Sequence, residues 1–226
     1  MSTLSATPTT STPHHRWPVT ARFGAAGIAT FFSVAIVTAA VTPGYRSTRD
    51  GISALAALDS LYAWVMIAGF LAAAAGLVAT GVGLWQRFSG VRSGRIGAGL
   101  VVFAGSLMAT AGLARQDCSD IRPECIDHGD APLASTHYWV HQYVSLALFL
   151  ILVIAMFVLV RAARRTEGFG HLAIPTRIVA IAGLLLTVSI VTIGYGDVSG
   201  LVQRPYLAML FGWPVLLAGL APRAAR

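Results

Sequence analysis

The fold class this sequence predicts is all-α: an integral membrane bundle of about six transmembrane helices. Three observations predict it. The apolar fraction is 56% against a charged fraction of 11%, which would leave a soluble domain far short of polar surface. Six long apolar runs follow one another along the chain. The arginines fall between those runs rather than inside them, as positive charges do when they set the orientation of spanning segments. The length of 226 residues suits six spans and short loops, since a hydrocarbon core about 30 Å thick takes about 20 residues at 1.5 Å rise each. No room is left for a separate soluble domain.

Residues 1–20 are rich in Ser, Thr and Pro and read as a disordered cytoplasmic tail. The first apolar run begins at Phe23 and is long enough to span, so a cleavable signal peptide is not expected. The six-span domain then occupies residues 21–222. Its runs are Phe23 to Val41, Leu61 to Leu84, Ile96 to Leu113, Val140 to Val160, Ile178 to Ile193, and Tyr206 to Leu220.

Orientation follows from the arginines. With both termini inside, eleven lie on the inner side (16, 22, 87, 92, 95, 161, 164, 165, 177, 223 and 226) and five outside (46, 49, 115, 122 and 204), which the positive-inside rule favours. All acidic residues except Glu167 then face outward. Trp64 and Trp139 fall near outer ends and Trp85 near an inner one, where an indole prefers to sit. The expected location is the cell membrane, with both termini cytoplasmic. The net charge of +7 would suggest nucleic acid in a soluble chain, but here it is a topology signal. The expected partner is the lipid bilayer, and no nucleic acid.

Small residues recur at helical spacing. Gly69, Ala73, Gly76, Thr80 and Gly83 share one side of the second span, and Gly183, Thr187 and Gly194 recur along the fifth. Such stripes let backbones approach closely, so a compact bundle is expected. Pro214 should kink the last span, because proline removes a backbone donor and clashes with the preceding turn.

The loop from Ala114 to Thr136 is the longest and most polar. It holds the only two cysteines, Cys118 and Cys125, which on an oxidising outer face would form a disulfide. Free thiols would fit only an inverted topology. Beyond it, His137 and His141 stand four residues apart, on one face at the outer mouth of the fourth span, and Ser145 continues that face inward. Two histidines so spaced can share a zinc ion, with Asp50, Asp117 or Asp197 supplying a carboxylate. Alternatively each histidine only forms hydrogen bonds at the interface. Asp50 precedes Gly51, Ile52 and Ser53, where it either caps a short interfacial helix or stands as a carboxylate at the bundle mouth.

Thr192 to Asp197 reads Thr-Ile-Gly-Tyr-Gly-Asp and resembles the selectivity filter of potassium channels. The context argues against a cation channel. The preceding loop is arginine-rich and therefore cytoplasmic, and Ile178 to Ile193 can cross the membrane unaided, so the glycines read as the frayed outer end of the fifth helix.

Taken together, the Asp117-Cys118 and Cys125 loop, His137 and His141 opening a span, and Gly200-Leu201-Val202-Gln203-Arg204 before the last span are similar to the bacterial membrane proteins grouped as domain of unknown function 998. The resemblance covers nearly all the chain after the tail. It implies the six-span fold and a patterned outer face, and nothing about substrate.

Three classes of function remain at this stage. One is an outer membrane-embedded site built from Asp50, Asp117, His137, His141, Asp197 and Arg204 that binds or processes a lipid or other amphiphile, since polar groups converging at a bundle mouth are costly in lipid. Zinc-assisted hydrolysis is its concrete enzymatic form. The second is a non-enzymatic accessory, binding or small-solute transport protein, and the third is the channel. The residues leave the oligomeric state open.

Overall fold

The computed structural model describes residues 17–117, 135–193, 196–220 and 222. Six helices are long and apolar enough to cross a membrane, and among the described residues there is no strand. They are α1 (Val19–Val41), α2 (Ala63–Phe88), α3 (Arg92–Leu113), α4 (Thr136–Arg165), α5 (Ala173–Ile193) and α6 (Ser199–Gly219). Each apolar run expected to span coincides with one of these helices. Consecutive helices alternate in direction, so the bundle has two distinct ends. The described residues that follow α1, α3 and α5 gather at one end, which holds Asp50, and the turns after α2 and α4 gather at the other.

The helix limits have local causes. Thr42 and Pro43 follow α1, and proline cannot continue a helix. α4 opens on Ser135, whose Oγ accepts from the Tyr138 N–H at 3.3 Å, a side-chain cap for an otherwise unpaired donor. Five of the six helices start earlier than the apolar runs implied, α5 and α6 by the most. α5 begins at Ala173 rather than Ile178, with Pro175 in its first turn, where the missing N–H costs nothing. α6 begins at Ser199 rather than Tyr206, so Gln203 and Arg204 are helical. A run read from hydropathy stops at Arg177 and at Arg204, although both residues are helical.

Close packing follows the small residues. Added to Gly27, a Cβ would lie 2.4 Å from the Ala72 carbonyl oxygen, and added to Gly76, 3.1 Å from Gly27 Cα, so α1 and α2 touch backbone to backbone. On the far side of α2, a Cβ on Gly105 would lie 2.9 Å from the Ala74 carbonyl oxygen. In lipid, where burial of apolar surface drives little helix association, such contact is a main source of cohesion. The centre is closed by edge-to-face rings, Phe31 with Phe70 at 5.3 Å and with Phe211 at 6.1 Å, a geometry aromatic quadrupoles favour.

Candidate functional site

The site grows from the loop after α1. Gly44 takes a positive φ of 78°, which glycine adopts without strain, and the chain turns back at Arg46–Asp50. Asp50 closes that turn. Its N–H donates to the Arg46 carbonyl at 2.7 Å, while its Oδ2 accepts from the Arg46 N–H at 2.6 Å. Its Oδ1 pairs with Arg49 Nε at 2.6 Å. The carboxylate is buried and both oxygens are engaged.

A 3₁₀ helix follows, Ile52–Ala56, with Gly51 at its start and no side-chain cap. This corrects the interfacial helix capped by Asp50. The segment is buried and lies across the bundle mouth as a strap, because its ends are fixed from both sides. Gln203 Oε1 on α6 accepts from the Ile52 N–H at 2.9 Å. Beyond α3, Arg115 donates to the carbonyls of Ala56 and Ala57 at 3.0 and 2.7 Å, and the Gln116 carbonyl accepts from the Leu58 N–H at 2.9 Å.

Arg204 holds the start of α6 to the same loop. Its Nη1 donates to the carbonyls of Ser47, Asp50 and Gly200, and its Nη2 to the Tyr45 hydroxyl. Burial pushes the Tyr45 phenol above its ordinary range, although Arg204 beside it pulls the other way. A Cβ on Gly200 would lie 2.6 Å from the Asp50 carbonyl oxygen, so this approach needs glycine.

Across the mouth, Asp117 accepts from the Ser135 N–H at 2.7 Å and from the Ser135 hydroxyl, orienting the residue that caps α4. One turn further, His141 is buried, and its Nδ1 lies 2.8 Å from the Ala111 carbonyl and 2.9 Å from that of Ala114. Carbonyls only accept, so Nδ1 carries the proton and Nε2 is left to other partners. These carbonyls end α3, where no intrahelical donors remain. His137 points outward and is exposed.

The structure therefore divides the expected cluster. Asp50, His141 and Asp197 line one cavity of about 750 Å³, whereas Asp117 and Arg204 stand outside its lining and hold the surrounding loops, and His137 stands outside it too. Among the described residues no three of His, Cys, Asp and Glu come together as metal ligands. Cys118 and Cys125 lie outside the described residues, as do Gly194 and Tyr195.

The cavity is polar at its rim and apolar in its depth. Gln116, His141, Gln142 and Ser145 line one side near the rim, and Phe31, Phe70, Leu207 and Phe211 line the depth. Deep on its wall the hydroxyls of Thr187 and Tyr206 pair at 2.7 Å while Thr187 also donates to the Gly183 carbonyl. Val191, exposed on α5, belongs to the lining, so this part of the cavity wall borders the outside of the bundle. Its volume is in the range of small-molecule sites. Of the residues lining the cavity, Asp50, His141, Ser145 and Asp197 were singled out from the sequence, whereas Gln116, Gln142 and Tyr206 were not. The available signal was a polar side chain in or beside a span, which lipid penalises.

One family model, described as protein of unknown function (DUF998), matches residues 25–220. No curated protein and no solved structure matches the chain.

Proposed function

The chain belongs to the DUF998 family, and from that premise we propose that it is a cell-membrane protein that binds a lipid or other amphiphile in the cavity at its Asp50 end without carrying out a reaction there. The observation that carries this reading is the lining. A polar rim and an apolar depth in one cavity of about 750 Å³ match a head group joined to a hydrocarbon chain. Such a molecule would enter from the bilayer beside Val191, the exposed lining residue on α5.

Catalysis is less well supported, because the groups that would perform it have other work. Both Asp50 oxygens are bound, and Arg204 is spent on backbone carbonyls and a phenol. α5 crosses as one helix up to Ile193, so no re-entrant pore helix precedes the filter-like glycines, which disfavours a channel. The excess of arginine at the end opposite the cavity supports cytoplasmic termini and a cavity facing outward. An accessory or transport role would use the same cavity.

The test is saturable stabilisation of the purified protein. A ligand that binds only the folded state stabilises it by about 2.7 kcal/mol at one hundred times its Kd. Single-chain oleoyl amphiphiles should therefore raise the thermal midpoint of the full chain. Ile190→Trp, which fills the half-buried wall of the cavity, should abolish the response. No saturable shift, or an equal shift in Ile190→Trp, would defeat the proposal.

A further inference from the structure

The cavity also indicates which head group it takes, an inference that rests on the amphiphile-binding reading. Gln116 is 9% exposed and lines the cavity, and its side-chain Oε1 is buried without a hydrogen-bond partner among the described residues. The main chain at Gln116 is held by Leu58, so the side chain is presented from a fixed point. Buried amides are nearly always paired. The orphan lies within the wall rather than open to the cavity, so an occupant pairs with it as the amide turns inward.

The neighbouring groups on that wall are neutral. His141 commits Nδ1 to two carbonyls and leaves Nε2 for a ligand. Gln142 and Ser145 line the same side. The charged groups at the rim do not favour an anion. Arg49 is neutralised by Asp50 at 2.6 Å, and Asp197 adds an exposed carboxylate.

We infer that the ligand is a neutral amphiphile with a hydroxyl head, of the glycerol ester or polyol ether class, and that one hydroxyl pairs with the Gln116 amide beside His141. A hydroxyl both donates and accepts, so it satisfies the Gln116 amide in either of its two orientations. A phosphate or carboxylate head only accepts and brings a charge that nothing on this wall compensates.

The experiment compares three probes that share one acyl chain: 1-oleoylglycerol, oleate and 1-oleoyl lysophosphatidate. The full-length protein is held in an amine oxide detergent, which has no hydroxyl of its own, and apparent Kd is read from the midpoint shift against concentration. Oleoylglycerol should bind at least about tenfold more tightly than either anion. Gln116→Leu should weaken oleoylglycerol about tenfold, the loss of roughly one hydrogen bond, and leave the weaker oleate binding unchanged. The same substitution should raise the midpoint of the ligand-free protein, because it removes an unpaired buried group. Gln116→Met, unbranched and of similar length, repeats the measurement if the leucine variant does not purify. An anion that binds as tightly as oleoylglycerol, or full affinity in the Gln116 variants, overturns the head-group assignment while the cavity reading stands. Failure of all three probes to bind overturns both.

Discussion

The guanidinium of Arg204 donates to the hydroxyl of Tyr45 and lies 5.8 Å from the centroid of that ring, so the first turns of α6 are tied to the loop that follows α1. The same guanidinium serves three carbonyls through Nη1. A planar fork with five donors can do this, whereas an ammonium on a flexible stem cannot reach all four acceptors at once. Arg204→Lys should therefore lose most of what Arg204→Ala loses, about 2 kcal/mol of stability, in unfolding titrations from mixed micelles. A lysine variant within about 0.5 kcal/mol of the parent, the scatter of ordinary surface changes, would show that charge alone sufficed.

Tyr45 gives the corresponding pH dependence. Burial raises its pKa above 10.0, outweighing the opposing effect of Arg204. The folded state thus holds the phenolic proton more tightly than the unfolded chain, whose phenol titrates near 10. That contribution is complete below the unfolded pKa and is lost as pH rises through the folded one. The parent should lose stability above pH 10, and Tyr45→Phe should lack that component. In the tyrosinate absorbance difference between the two proteins, the missing phenol should titrate above 10.0. A titration at or below that value would contradict its burial against α6.

How much of this was legible in the sequence differs between the scaffold and the site. The spans follow from apolar runs against the fixed thickness of lipid, a one-dimensional constraint that needs no knowledge of partners. The stripe through Gly76 likewise implied a close neighbour, and α1 is that neighbour. The site depends on pairings distant in sequence, such as Gln203 with Ile52 and His141 with the end of α3, and no local pattern encodes these. Asp50 illustrates the limit. Its position before a short helix suggested a cap, but the bulk of Ile52 and Leu55 pulls that segment into the bundle mouth, and the carboxylate serves the preceding turn instead.

Topology follows from the same alternation of helices. Reporter fusions after Gly90, in the turn between α2 and α3, and after Gly168, between α4 and α5, should register as cytoplasmic, and one at Asp197 as external. Arginine content at the two ends sets this expectation. A cytoplasmic signal at Asp197 would place the cavity on the inner face and remove the oxidising environment assumed for Cys118 and Cys125.

The two histidines separate a shared zinc site from loop chemistry. If His137 and His141 both bound a metal, either substitution would break the site, the double variant would be little worse than a single one, and a chelator would lower the thermal midpoint of the parent. The geometry predicts a different pattern. His141 is buried with its Nδ1 on two carbonyls, so His141→Ala leaves those acceptors unpaired at the end of α3 and should cost about 2 kcal/mol. His137 is exposed, and its substitution by alanine should change stability by less than about 0.5 kcal/mol. His141→Asn, which keeps a short donor, should recover part of the loss. Equal losses at both positions, together with a chelator response and stoichiometric zinc in the purified protein, would instead establish the metal site and return hydrolysis to consideration.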